Sequence, residues 1–164
     1  MRLFVAICLS PEMRDALVDL QGQMRDQRVT GNYTPIENLH LTLAFIGDYP
    51  DPEDVPLPDF APFDLRLSGY GCFGDLWWAG IEKSPPLEAC VRRLRRALSD
   101  AGIPFDKKRF SPHVTLARRA QGHPALSVPE VSMRVDRISL MRSERGRNGM
   151  IYTEIRRQDA SQKP

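Results

Sequence analysis

The amino-acid sequence predicts an α+β fold made of two similar lobes that face each other. Three observations point there. Short apolar runs rich in strand formers are interspersed with two helical stripes. Both helices open on the same Ser-Pro chemistry. One order of elements occurs twice. The chain has 164 residues, 41% of them hydrophobic. That is enough to build a core for one domain or one compact pair of lobes.

The elements follow in order. Leu3 to Leu9 reads as a strand. Its apolar run is short and meets Ser10-Pro11-Glu12 at once, so it is not read as a leader peptide. Ser10 supplies a capping hydroxyl, Pro11 suits the first helical position and Glu12 puts an acid in the first turn. Met13, Ala16, Leu17, Leu20 and Met24 recur at helical spacing and form one buried face. Gly31-Asn32 reads as a turn, and His40 to Ile46 as a strand stopped by Gly47-Asp48. The proline- and acid-rich residues 49–59 read as a loop, because proline denies backbone donors to helix or sheet. Phe63 to Leu67 and Leu76 to Glu82 are expected strands. Ser84-Pro85-Pro86 opens the second helix, whose stripe is Leu87, Cys90, Val91, Leu94, Leu98 and Ala101, with Gly102 as its stop. Arg92, Arg93, Arg95 and Arg96 are read as a solvated face. His113 to Ala117 is a strand, and Val131 to Arg142 with Met150 to Ile155 a terminal hairpin around Gly146 and Gly149. Residues 1–156 are taken as a single bilobal domain and 157–164 as a frayed polar tail.

The duplication rests on spacing. Strand, Ser10-Pro11, helix, turn and His40-Leu41-Thr42-Leu43 are matched by strand, Ser84-Pro85, helix, turn and His113-Val114-Thr115-Leu116. Pro11 to His40 spans 29 positions and Pro85 to His113 spans 28. The halves share few other residues, but matched order and spacing imply an internal repeat.

Composition narrows the function. A formal net charge of +2, from 23 basic and 21 acidic residues, is too small for a protein that coats nucleic acid by charge alone. It leaves room for local phosphate binding. Cys8, Cys72 and Cys90 are scattered and odd in number, which speaks against a disulfide framework or a structural zinc site. Free thiols suit a reducing, cytoplasmic setting. No stretch is long enough to span a membrane.

Residues two apart on a strand share a face, so His40 and Thr42 point together, about 6–7 Å apart along the strand. His113 and Thr115 do the same. The hydrophobic Leu41, Leu43 and Phe45, and on the other strand Val114 and Leu116, are expected to anchor each strand from behind. Phe45 is therefore expected in the core. Of the adjacent Trp77 and Trp78, one should face the core and one not; Trp78, like Tyr33, is a candidate for stacking on a base. Two imidazoles suit the opening of a ribose 2′,3′-cyclic phosphate. One takes a proton from water and the other protonates the departing ribose oxygen. Histidine titrates near pH 6.5, so both forms exist at neutral pH. The threonine hydroxyls can donate to the non-bridging phosphate oxygens. No acidic cluster surrounds the motifs, and His123 precedes a proline in a loop, so neither a metal nor another cofactor is called for.

The strings Asn38-Leu39-His40-Leu41-Thr42-Leu43-Ala44-Phe45-Ile46-Gly47 and Phe110-Ser111-Pro112-His113-Val114-Thr115-Leu116-Ala117-Arg118 resemble the paired signatures of the 2H phosphoesterase superfamily. Within it, the chain resembles the bacterial and archaeal RNA 2′,3′-cyclic phosphodiesterases, also called 2′-5′ RNA ligases. Met1-Arg2-Leu3-Phe4-Val5-Ala6-Ile7, Arg142-Ser143 and Tyr152-Thr153 share that likeness, which covers nearly the whole chain. The resemblance implies two antiparallel sheets flanking a central cleft, with the helices outside. It implies hydrolysis of a terminal 2′,3′-cyclic phosphate to a 2′-phosphomonoester, with possible reversal to 2′-5′ ligation. It implies His40 as proton donor and His113 as proton acceptor, two roles that the residues alone do not distinguish. Thr42 and Thr115 match phosphate-binding threonines, and Arg118 is a candidate phosphate contact. Ala44 stands where many relatives carry a basic residue, which bears on how tightly phosphate or RNA is held. The expected partner is an RNA ending in a cyclic phosphate, tRNA fragments among them, met by a monomer away from any membrane. The residues also leave open a small cyclic nucleotide or 2′,5′-linked substrate, a non-catalytic RNA-end binding module and a metal hydrolase.

Overall fold

A computed structural model of the chain describes residues 1–161. The elements are β1 (Arg2–Cys8), α1 (Pro11–Asp26), β2 (Thr30–Tyr33), β3 (His40–Asp48), β4 (Phe63–Phe73), β5 (Leu76–Ile81), α2 (Pro85–Asp100), β6 (His113–Gln121), β7 (Ser132–Val135), β8 (Arg137–Gly146) and β9 (Gly149–Asp159). Short 3₁₀ turns occupy Ile36–Asn38 and Pro52–Asp54, the latter inside the expected loop.

The strands form a sheet of order β3-β1-β8-β9 and a sheet of order β2-β6-β5-β4-β7, with every pairing antiparallel. The repeat is visible in these orders. β1, α1 and β3 make one unit in which β1 pairs with β3; β5, α2 and β6 make the other, in which β5 pairs with β6. Each helix starts as its sequence requires. The Ser10 hydroxyl accepts from the Met13 amide at 3.1 Å, and the Ser84 hydroxyl from the Leu87 amide at 3.3 Å. One buried cluster unites both sheets and both helices, from Leu3 and Val5 through Leu17 and Leu20 to Leu94, Leu98 and Val114. Gln21, buried on α1, donates to the carbonyls of Thr34 and Leu116 and so fastens the helix to β6 without leaving a polar group unpaired.

Three expectations about the backbone change. Gly31-Asn32 is not a turn but part of β2, a fifth strand on the second sheet. Gly31 sits there at φ 153°, and a Cβ on it would lie 2.8 Å from the Ala120 Cα, so only glycine lets β2 come this close to β6. Val131 to Arg142 is two strands, not one. β7 pairs with β4 in the second sheet, and after Asp136 the chain enters the first sheet as β8, which alone makes the hairpin with β9. The tail is ordered further than expected: β9 runs to Asp159, and the Ala160 and Ser161 amides donate to the carbonyls of Asp136 and Phe60. Residues 162–164 lie outside the described residues.

Candidate active site

β3 and β6 approach each other, one from each sheet, and bring the two His-x-Thr strings together. Leu41, Leu43, Val114 and Leu116 are buried, while His40, Thr42, His113 and Thr115 are half-buried on the other side. The alternation then breaks in both strands in the same way. Pairing passes from Ala6↔Thr42 to Val5↔Ala44, and from Trp78↔Thr115 to Trp77↔Ala117, so Leu43 and Leu116 are each an extra residue. A bulge of this kind turns the following side chain to the opposite face. Ala44 and Ala117 are therefore buried, and the fifth residue after each histidine start, Phe45 or Arg118, comes out exposed. This corrects the core placement of Phe45, which is 36% exposed and lies beneath the Arg2 guanidinium at 4.9 Å.

His40, Thr42, His113, Thr115 and Arg118 all line one pocket of about 110 Å³, together with Thr34, Asn38 and Tyr152. Both imidazoles are fixed alike. His40 Nδ1 lies 2.7 Å from the Asn38 carbonyl oxygen, and His113 Nδ1 2.7 Å from that of Ser111. A carbonyl only accepts, so each Nδ1 carries the hydrogen and each Nε2 is left for chemistry. His40 Nε2 meets the Thr42 hydroxyl at 2.8 Å. His113 Nε2 meets no partner among the described residues. Each ring also has two aromatic neighbours: Phe4 and Tyr152 beside His40, with ring centroids at 5.0 and 5.2 Å, and Phe73 and Trp78 beside His113, at 5.3 and 6.4 Å. Trp77 is the buried member of its pair, as alternation requires.

Burial holds the His40 imidazole below the ordinary histidine range, because the protonated form loses water. The Asn38 carbonyl opposes that shift, and the positive charges of Arg118 and His113 add to it. Among the described residues no three His, Cys, Asp or Glu side chains gather as metal ligands.

Several participants escaped sequence reasoning. Asn38 is buried, and its amide donates to the Met150 carbonyl at 2.9 Å while its own carbonyl aims His40. Tyr152 and Phe4 reach His40 only because β9 and β1 lie in its sheet. Arg95, expected on a solvated face, instead donates to the Lys108 carbonyl at 2.7 Å and lies over Phe105 and Phe110. No periodic signal marks these contacts, which join distant segments.

The family model described as the 2′-5′ RNA ligase superfamily matches residues 11–147. The chain is 36% identical to an RNA 2′,3′-cyclic phosphodiesterase of Thermus thermophilus over 94% of this chain and 88% of that one. It is 31% identical to another of that name from Geobacillus stearothermophilus, over 73% of this chain, and the match spans 42% of that protein's length. Escherichia coli LigT complexed with 3′-AMP superposes with a TM-score of 0.80 at 27% identity, over 98% of each chain. The family model spans the residues that carry both histidine strings and most of the chain, and the chain belongs to the 2′-5′ RNA ligase superfamily.

Proposed function

We propose that the protein hydrolyses the 2′,3′-cyclic phosphate at an RNA end to a 2′-phosphomonoester. The observation that carries this reading is one small pocket holding two imidazoles, each with Nδ1 tied to a carbonyl and Nε2 left for proton exchange, open on His113 and against the Thr42 hydroxyl on His40. Water attacks phosphorus and gives its proton to His113 Nε2. The bond from phosphorus to the 3′ oxygen breaks, and that oxygen takes the proton from His40 Nε2. The product keeps phosphate on O2′ and a hydroxyl on O3′.

The charges suit this order. His113, with an unoccupied Nε2, is ready to accept. His40 resists protonation in the free protein, and an incoming phosphate anion offsets the repulsion from Arg118 and makes the protonated ring favourable. Thr42, Thr115 and Arg118 donate to the non-bridging oxygens and stabilise the charge that grows at the pentacoordinate phosphorus. With a 5′-hydroxyl in place of water as the nucleophile, the same two proton transfers join that hydroxyl to the cyclic-phosphate end through a 2′-5′ bond, and the 3′ oxygen again leaves as a hydroxyl.

The pocket is flanked by two grooves, of about 390 and 350 Å³. The first shares Thr42 and His113 and adds Phe45, Phe73 and Arg109; the second shares His40, Thr42 and Arg118 and adds Arg2 and Phe4. Aromatic and basic side chains on both sides of a phosphate pocket favour a nucleotide substrate. Relatives named RNA 2′,3′-cyclic phosphodiesterase and a neighbour solved with 3′-AMP agree with that reading.

The test is to incubate an RNA ending in a 2′,3′-cyclic phosphate with the protein in excess chelator and identify the product isomer. A 2′-phosphate is expected. Failure to hydrolyse, formation of the 3′ isomer, or activity that returns only with zinc or manganese would overturn the proposal.

A further inference from the structure

A second depression, of about 630 Å³, lies apart from the histidine pocket. It forms where the end of β1, the start of α1, β7 and the adjoining ends of β8 and β9 meet. Arg14, Arg134, Arg137 and Arg157 line it, against the acids Asp136 and Asp159. Arg14 spends its Nε on the Leu9 carbonyl at 3.0 Å and meets no carboxylate among the described residues. The other three make ion pairs that water reaches: Arg134 with Asp64 at 3.3 Å, Arg137 with Glu154 at 3.9 Å and Arg157 with Asp159 at 3.4 Å. Exposed pairs of this kind contribute little and are easily exchanged for another anion.

The register of the first sheet links this depression to the reacting site. Thr42 pairs with Ala6, Ala6 with Ser139, and Ser139 with Arg157. Side chains directly opposite one another share a face, so this row runs straight across the face that carries His40. It covers three strand spacings, about 14 Å. The two side chains between, Ala6 and Ser139, are small and buried beneath their neighbours. The nearby Glu154 carboxylate is held by the Ser139 hydroxyl at 2.5 Å and by Arg137. A single strand passing over the side chains that cover this row would span from the phosphate pocket to the arginines within a few nucleotides.

We propose that this arginine-lined depression is a second RNA-binding site, one that takes backbone phosphates of the strand whose end is held between His40 and His113. The inference rests on the RNA reading given above. Guanidinium groups present forked donors that fit phosphate oxygens, and four of them converge here from both sheets and the first turn of α1. The depression thus recognises the strand without reading its bases, and favours an oligonucleotide over a mononucleotide.

The experiment uses the full chain and a fluorescent single-stranded oligonucleotide ending in an unreactive 3′-phosphate, with binding followed by anisotropy against salt. Arg137→Gln/Arg157→Gln should weaken binding about tenfold and make the salt dependence shallower by about 1.4 units of log–log slope, roughly 0.7 for each charge removed. Arg137→Lys/Arg157→Lys, which keeps the charge, should retain most of the binding, and a matching thermal melt excludes misfolding. In parallel, the kcat/KM ratio of a cyclic-phosphate oligonucleotide to a cyclic-phosphate mononucleotide should fall about tenfold in the Gln variant. Unchanged binding and an unchanged salt slope in the Gln variant would overturn the site. Arginine-dependent binding by a protein that turns over neither substrate would uphold the site and sink the hydrolase reading instead.

Discussion

The β1–α1–β3 unit and the β5–α2–β6 unit are the same device decorated differently. Both open a helix on Ser-Pro, both start a strand on His-x-Thr, and both bulge at the leucine that follows. Both lock Nδ1 of the histidine onto the carbonyl two residues before it. The difference lies in what surrounds the rings. His40 is the more deeply enclosed and has Thr42 on its Nε2, whereas His113 keeps its Nε2 open. The fifth residue of β3 beyond His40 is Phe45, where β6 has Arg118. A near-twofold backbone thus points two imidazoles at one pocket, and the surroundings of one of them, His40, lower its proton affinity by burial.

The largest expected effect is loss of either ring. His40→Ala and His113→Ala should each lower kcat on a cyclic-phosphate RNA by about 10²–10⁴. The roles can then be told apart with a phosphodiester carrying a nitrophenol leaving group. It departs without protonation, so His40→Ala should recover most of its rate and His113→Ala should not. Recovery in the opposite variant would exchange the roles of the two lobes.

Next in size are the fifth positions. Arg118→Ala should lower kcat/KM about 10²–10³-fold by removing a donor to the phosphate. Phe45→Ala should act chiefly through KM, by about tenfold for an RNA substrate, as loss of a stacking surface does. Equal effects on kcat in both variants would mean that the two positions are not specialised.

A smaller effect is electrostatic. Arg118→Ala takes a positive charge away from His40, so the His40 pKa should rise, as read from its imidazole proton shifts by NMR. The folded-state pKa of His40 lies below its unfolded value. Below about pH 6.5 the unfolded chain therefore binds this proton more readily, and His40 weakens the fold as pH falls. His40→Asn should flatten the pH dependence of urea stability in that window. An undiminished acid slope would place the effect elsewhere.

The smallest difference is between the two caps. Ser10→Ala and Ser84→Ala should each cost about 1 kcal/mol in denaturant unfolding, since each removes one acceptor from a helix start. A loss confined to one of them would show that the two helices do not contribute alike.

Much of this was legible in the residues. Ser10, Pro11, Ser84 and Pro85 announced the helices, because capping is local chemistry. His40, Thr42, His113 and Thr115 announced two matched pairs of imidazole and hydroxyl, because period-two alternation and a matched spacing survive in a linear string. Phe45 was misplaced because alternation assumes an unbroken strand, and the bulge exists only in the pairing of β3 with β1. Val131 to Arg142 was read as one strand because nothing in its own residues says that β7 and β8 belong to different sheets. Phe4 and Tyr152 stood in the sequence without a role because they touch the His40 ring from other strands, and Asn38 because its role lies in its backbone carbonyl, which no side-chain pattern marks.

The residues by themselves determined the two-lobed plan, the helix boundaries and the identity of the paired imidazoles and hydroxyls, all set by neighbours within a few positions along the chain. Tertiary structure alone decided that the two rings share one pocket, that Arg118 and Phe45 turn outward, and that four arginines from distant segments surround one depression. The physical reason is that strand register, sheet exchange and burial are properties of pairs of segments, and a pair has no signature in either member alone.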